Sequence, residues 1–336
     1  MIVLSTFTII YWKFAQGKLE SQKSAVMAKQ RAVMQTLGPK LIPFRDRVEA
    51  WVMELAGEQR PNLVAPGVSV DAIAAGPGVY LRARLSNARD PKSLRQAAAR
   101  SLRDGVTSCL FVRREETEGK PCKSPSDCSG GLLCNDWSVC ARPSQPYNLR
   151  LAYRTLRILS PQWADELHQA STDLAVRAFE LDLDAVTRND VPVAVELLSR
   201  AKYFTAVLDE EPPGGLPPAL IRSKEEREET DEERIQRATH AARVGIWDLR
   251  SGALLVRVRA EASGEFVPVG DRGSAGPETL AAEQRQVNGC AIAMDVKETV
   301  AAAASPPSAP QPAAPTPVPS APKTTAPAPS AQPAAP

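Results

Sequence analysis

The sequence predicts an α+β protein with an N-terminal membrane anchor and helical stalk, a mixed domain, and a disordered tail. Three observations lead there. Val79, Leu81, Ala83 and Leu85 alternate with Tyr80, Arg82 and Arg84, the period of a half-buried strand, and Pro91 opens a helical pattern right behind them. Pairs of apolar stripes at helical spacing follow between residues 160 and 208. The segment from Ser305 to Pro336 is built of Pro, Ala, Ser and Thr, and Lys323 is its only charged side chain, so it has no means of forming a core. The expected domain plan is an anchor at 1–14, a stalk at 15–60, an α+β domain at 61–302 and the disordered tail at 303–336. Within the third lie a cysteine-rich insertion at 121–142 and a charged linker at 210–238.

Met1 to Trp12 is apolar apart from Ser5, Thr6 and Thr8 and stops at Lys13, which reads as a short uncleaved anchor with Trp12 and Lys13 at the interface. Twelve residues are short against the roughly 20 that a span needs. Leu19, Val26 and Val33 give a heptad-like stalk, and Pro43 opens a second helix carrying Phe44, Val48, Trp51, Val52 and Leu55 that Gly57 ends. The Pro-Gly pairs at 66–67 and 77–78 break the chain before the main domain.

That domain opens with a strand-helix-strand unit: Val79–Leu85, a helix capped by Asp90, and a strand at Cys109–Arg113. After the cysteine-rich insertion, Tyr147–Leu159 reads as a helix. Ser160-Pro161 starts a helix with Trp163, Leu167, Ala170, Leu174 and Leu181. Asp190 starts its partner, on which Ala194, Leu197, Leu198, Ala201, Phe204 and Leu208 line up, so the two form a helical hairpin. A β-hairpin turns at Arg250-Ser251-Gly252, Phe266–Val269 adds a short strand, and a helix runs from Pro277 to about Val300.

Forty-one basic and 39 acidic side chains leave a net charge of +2, which carries no nucleic-acid footprint. The excess of arginine over lysine and the abundant alanine hint at a GC-rich bacterial source. Six cysteines make an even set, as in disulfide-bonded chains. Cys122, Cys128, Cys134 and Cys140 recur every sixth residue in a stretch with almost nothing apolar, so cross-links must hold it. Two disulfides do so at about 2–4 kcal/mol each. A zinc tetrathiolate favours cysteines two to four residues apart, and every gap here is five. Disulfides are therefore expected, with three pairings open. Cys109 and Cys290 are left to each other as a long-range disulfide.

The run Cys122-Lys-Ser-Pro-Ser-Asp-Cys128-Ser-Gly-Gly-Leu-Leu-Cys134 resembles the Dickkopf N-terminal cysteine-rich module, with an acidic residue before the second cysteine and a glycine soon after it. The resemblance spans Cys122 to Cys140 and implies an oxidising compartment; it brings no ligand. The longer cysteine array of the animal module is absent.

No phosphate loop, nucleophile elbow or zinc-protease helix is present. His168 and His240 lie on separate predicted elements with no ligand at metal spacing, and Asp182 and Asp184 read as solvated carboxylates. The functional expectation is a membrane-anchored extracytoplasmic envelope protein with a structural or protein-interaction role, without catalysis or cofactor. Its expected partners are the membrane, through the N-terminal segment, and a protein or cell-wall component. Two alternatives stand beside it: an extracytoplasmic sensor or ligand-binding domain, and a cytoplasmic zinc-binding protein. The last follows if Lys13, Lys18, Lys23, Lys29 and Arg31 hold their flank on the cytoplasmic side.

Overall fold

A computed structural model describes residues 2–101, 105–111, 117–129, 132–135, 137–142, 146–222, 227–265 and 276–304. The expected strand at Phe266–Val269 and the expected disordered tail lie outside the described residues. In chain order the elements are α1 (Ile2–Ala56), β1 (Leu63–Val64), α2 (Val70–Ala74), β2 (Gly78–Arg84), α3 (Pro91–Arg100) and α4 (Gly105–Leu110). Then come β3 (Leu133–Cys134), β4 (Cys140–Ala141), β5 (Tyr147–Asn148), α5 (Arg150–Ile158), α6 (Pro161–Gln169), α7 (Asp173–Ala185) and α8 (Val191–Arg200). The remainder is β6 (Tyr203–Asp209), β7 (Ile221–Arg222), β8 (Arg227–Glu228), α9 (Asp231–Arg237), β9 (His240–Asp248), β10 (Leu254–Ala262) and α10 (Pro277–Ala304).

The main sheet has the order β1-β10-β9-β6-β2-β5. Strand β2 runs parallel to both β6 and β5, and the other pairs are antiparallel. Parallel neighbours need long crossovers. Residues between β2 and β5 supply α3, α4 and the cysteine-rich insertion; residues between β5 and β6 supply α5 to α8. Helices therefore cover both faces, and the expected α+β arrangement is corrected to a mixed α/β unit. On one face Leu81, Ala83, Phe204, Ala206, Leu208 and Trp247 pack on Val48, Val52 and Leu55 of α1 and on Leu94 and Ala98 of α3. Trp51, Trp247 and Phe204 stack there at 5.6 to 6.3 Å between ring centroids. On the other face Val207, Val244, Ile246, Val256 and Val258 meet Val106 and Leu110 of α4 and Ile292, Ala293 and Val296 of α10. A third cluster gathers Val26 and Leu41 of α1 with Leu156, Trp163, Leu167, Val176 and Leu183.

Four further expectations are overturned. Among the described residues no helix is long and apolar enough to cross a membrane, so the anchor at 1–14 and the membrane-anchored localisation drawn from it fall. The physical reason is length and polarity: a twelve-residue run broken by Ser5, Thr6 and Thr8 and followed by Lys13 covers, at 1.5 Å per residue, about 18 Å, against about 30 Å of hydrocarbon. The stalk is likewise absorbed, because α1 continues through Pro39 and Pro43 and buries Val26, Leu41, Val48 and Val52 in the body. Finally, the strand-helix-strand unit loses its second strand, since residues 105–110 are helical, while the expected second arm of the helical hairpin ends at Arg200 and continues as strand β6.

The β-hairpin is present as β9 and β10, closed by Asp248, whose Oδ1 accepts from the backbone N–H of Arg250 and Ser251, and by Gly252 at φ 74°. Helices α4 and α10 approach backbone to backbone at Gly105 and Gly289: a Cβ on Gly289 would sit 2.9 Å from the Gly105 Cα. One turn further on, Cys109 is bonded to Cys290. Gly289→Ala is therefore expected to force the helices apart and cost about 1–3 kcal/mol, the usual range for overpacking. Gly17→Ala in α1, where the added methyl meets nothing within 4 Å, is expected to keep or raise stability. Thermal melts of the two variants against the parent check the contrast.

Candidate interaction site

Residues 117–142 place four cysteines where the sequence offers no other core. Cys122 bonds to Cys134 and Cys128 to Cys140, with Cα separations of 5.7 and 5.5 Å. The half-buried Leu132 packs on these cysteines, and Leu133 and Ala141 on the two short strands are buried as well. Leu133–Cys134 pairs antiparallel with Cys140–Ala141, and the segment before Cys122 lies alongside: Cys122 N–H donates to the Ser138 carbonyl at 2.9 Å and Cys140 N–H to the Lys120 carbonyl at 2.8 Å. Two short loops are fixed by side-chain acceptors. Asp127 Oδ2 accepts from Lys123 N–H at 2.8 Å and Ser124 N–H at 2.9 Å, and these two donors hold its carboxyl below the usual carboxylate range. Asn135 Oδ1 accepts from Trp137 N–H at 3.0 Å and Val139 N–H at 3.2 Å.

The second loop makes the tip. Ser138 adopts φ 56°, the left-handed region that a residue with a Cβ seldom enters, and its N–H donates to the Asn135 carbonyl at 2.9 Å. The turn so formed leaves Trp137 60 % exposed. The insertion is seated on the body by Arg200 at the end of α8, whose guanidinium donates to the Cys128 carbonyl at 2.8 Å and to the Leu132 carbonyl while pairing with Glu196. Trp137, Asn135 and Arg200 were not among the residues that the sequence singled out; an aromatic residue between Asn135 and Ser138 inside a cysteine frame is the signal that marks the tip.

The other residues singled out are placed apart from this tip. Cys109 and Cys290 join α4 to α10, which leaves neither as a thiol. The sulfurs of Cys122, Cys128 and Cys140 lie within 4.8 Å of one another, yet each is committed to a disulfide, so the set offers zinc no thiolate. His168 is exposed, its Nδ1 2.9 Å from the Ala164 carbonyl. Asp182 and Asp184 meet Arg157 and Lys29, each at 3.8 Å. His240 is fully buried in an interior charge cluster. There Arg82 donates to both Asp209 oxygens at 2.8 and 2.9 Å, and His240 Nε2 lies 3.1 Å from Asp209 Oδ1. Burial alone would raise the Asp209 carboxyl, but Arg82 and His240 outweigh it and hold it at about 2. This cluster ties the ends of β2, β6 and β9 and is closed to ligands, since its side chains are at most 2 % exposed.

Two predictions follow from this chemistry. Because Asp209 is depressed in the folded protein, its contribution to stability is complete above the unfolded value of 3.8 and is lost as pH falls towards 2. The amount is on the order of 2 kcal/mol. Asp209→Asn should abolish that part of the acid dependence and cost about 3–5 kcal/mol at neutral pH by stranding the buried Arg82 guanidinium; urea unfolding from pH 7 to pH 2.5 reads both. For the insertion, Cys128→Ser with Cys140→Ser should raise trypsin cleavage after Lys123 severalfold and shift the melt of the body only slightly. A large fall in melting temperature would show that the insertion supports the core.

Comparison with known proteins finds no family model that matches the chain, and no curated protein or solved structure that is similar to it.

Proposed function

We propose that the protein is a non-catalytic binding protein that engages a protein partner through its disulfide-stapled hairpin, with Trp137 as the anchor. The observation that carries this reading is the 60 % exposure of Trp137 on a turn held by Asn135, two disulfides and Arg200. Tryptophan is enriched among the few residues that carry most of an interface's energy, because a large apolar ring with one donor fills a pocket with little loss of freedom. A near-neutral charge balance favours a protein over a nucleic acid as the occupant.

The non-catalytic part of the reading is supported by the state of the chemically active residues. The leftover cysteines are bonded to each other, and the two histidines sit on separate elements, one at the surface and one in the core. The shallow groove between α9, β10 and the start of α10 is lined by Arg237, Thr239, Ser263, Glu265 and Gln284, with no histidine or cysteine among its described lining residues. The core beside β2 and α3 is filled by Leu81, Ala83, Leu94 and Ala98, which favours a binding surface over an internal ligand pocket.

A photo-cross-linking residue placed at position 137 in the producing cells tests the reading, with Glu118 as the control position. Adducts with a protein are expected at 137 alone, and Trp137→Ala should weaken binding of that protein by at least tenfold, the effect of an anchor worth more than about 1.4 kcal/mol. Adducts with cell-wall polymer only, or equal binding by the alanine variant, would overturn it.

A further inference from the structure

Helix α7 carries two apolar seams, and the body uses one. Val176, Leu183 and the neighbouring Val186 face inward at 2 % exposure each, and Phe179 packs edge-on against Trp163 at 5.3 Å. The opposite face carries Leu174, Ala178, Leu181 and Ala185. At 100° per residue these four fall within an arc of about 60°. Leu174 is 79 % and Leu181 58 % exposed, and both alanines are exposed as well. A surface helix of one folded unit needs a single apolar stripe. The alternating spacing of four and three residues on the outer face is that of a coiled-coil seam, with leucine at one core position and alanine at the other.

We propose that this outer seam joins two copies of the chain, α7 packing antiparallel on α7 about a two-fold axis between residues 178 and 181. Volume and charge both select this occupant. Antiparallel pairing sets Leu174 against Ala185 of the second copy and Leu181 against Ala178 of the second copy, so that each large side chain meets a small one. Parallel pairing would set leucine on leucine and alanine on alanine and leave voids at the alanine layers. Along one edge of the seam stand Arg177, which has no ion-pair partner among the described residues, and Asp184, whose contact with Lys29 is long at 3.8 Å. Antiparallel packing brings Arg177 across from Asp184 of the second copy, twice by symmetry. The helix is about 18 Å long, so the contact falls below the roughly 1,200 Å² of a standard stable interface and describes a reversible dimer.

Sedimentation velocity of the full chain from about 10 to 500 μM reads the association. The parent should pass from monomer to dimer across that range, and Leu181→Glu or Leu174→Glu should remain monomeric throughout. Arg177→Asp and Asp184→Arg should each weaken the dimer by at least tenfold, and the two together should restore it to within about threefold. Both leucines are exposed, so their variants leave the core intact, and a melt of each variant verifies folding. Trp137→Ala should leave the association unchanged, which separates this proposal from the partner reading. A parent that stays monomeric at 500 μM, a dimer indifferent to Leu181→Glu, or a charge swap that fails to restore association overturns it.

Discussion

Strand β6 must be hidden from water on both faces, and that constraint draws elements from both ends of the chain. Phe204, Ala206 and Leu208 point to one side and Thr205, Val207 and Asp209 to the other, all of them buried. The first set is covered by the C-terminal end of α1, where Trp51 stacks on Phe204 and Trp247. The second set faces the layer of α4 and α10, whose backbones meet at Gly105 and Gly289 and whose separation is fixed by the disulfide between Cys109 and Cys290. Asp209, the last residue of the strand, cannot escape this enclosure. Its charge is tolerated because Arg82 from β2 and His240 from β9 arrive on the same face, so the cluster also specifies which strands neighbour β6.

A strand enclosed on both faces is hard to recognise from sequence. Alternation of apolar and polar residues is the signature of a strand with one wet face, and β6 has none. Ala201, Phe204 and Leu208 also fall at helical spacing by coincidence, which extends α8 falsely across the end of a helix at Arg200. The mirror error arises at Cys109, Leu110 and Phe111: a short apolar run fits a buried strand, but close contact with α10 makes it helical. Pro39 and Pro43 lie four residues apart inside one helix, where packing on the body outweighs the local cost of a missing N–H. The hairpin of β9 and β10, the cap at Asp90 and the cap at Ser160 were legible because they rest on local chemistry: a turn glycine, or a side-chain oxygen that accepts from Ser93 or Trp163 N–H. The two-residue strands β1 and β5 exist only by virtue of the edges they pair with.

The site was legible in part for the same reason. Four cysteines in an apolar-poor stretch announce a cross-linked insertion, but linkage between first and third and between second and fourth depends on how the chain folds back beside Ser138. The position of Trp137 between Asn135 and Ser138 marks the tip in sequence, but its exposure depends on the Asn135 turn and on a left-handed serine, which only the folded chain shows. Arg200 is remote in sequence from the carbonyls it binds, 68 and 72 residues away, so its role belongs to tertiary structure alone.

Among the described residues, no side chain from 117 to 142 enters the three hydrophobic clusters of the body. The insertion is therefore held by its own disulfides, its internal hydrogen bonds and Arg200 rather than by those clusters. A tryptophan side chain carries about 150–250 Å², so leaving 60 % of Trp137 in water forgoes about 3 kcal/mol at 25 cal/mol per Å². A partner that covers the ring recovers that amount. Because the turn is already ordered by covalent bonds and by Asn135, little of the gain is spent on fixing the loop at the moment of association. Rigidity and exposure thus go together: a flexible loop could fold its tryptophan back onto the body, whereas two disulfides, seated by Arg200, keep the ring at the tip, the geometry on which the proposed binding role rests.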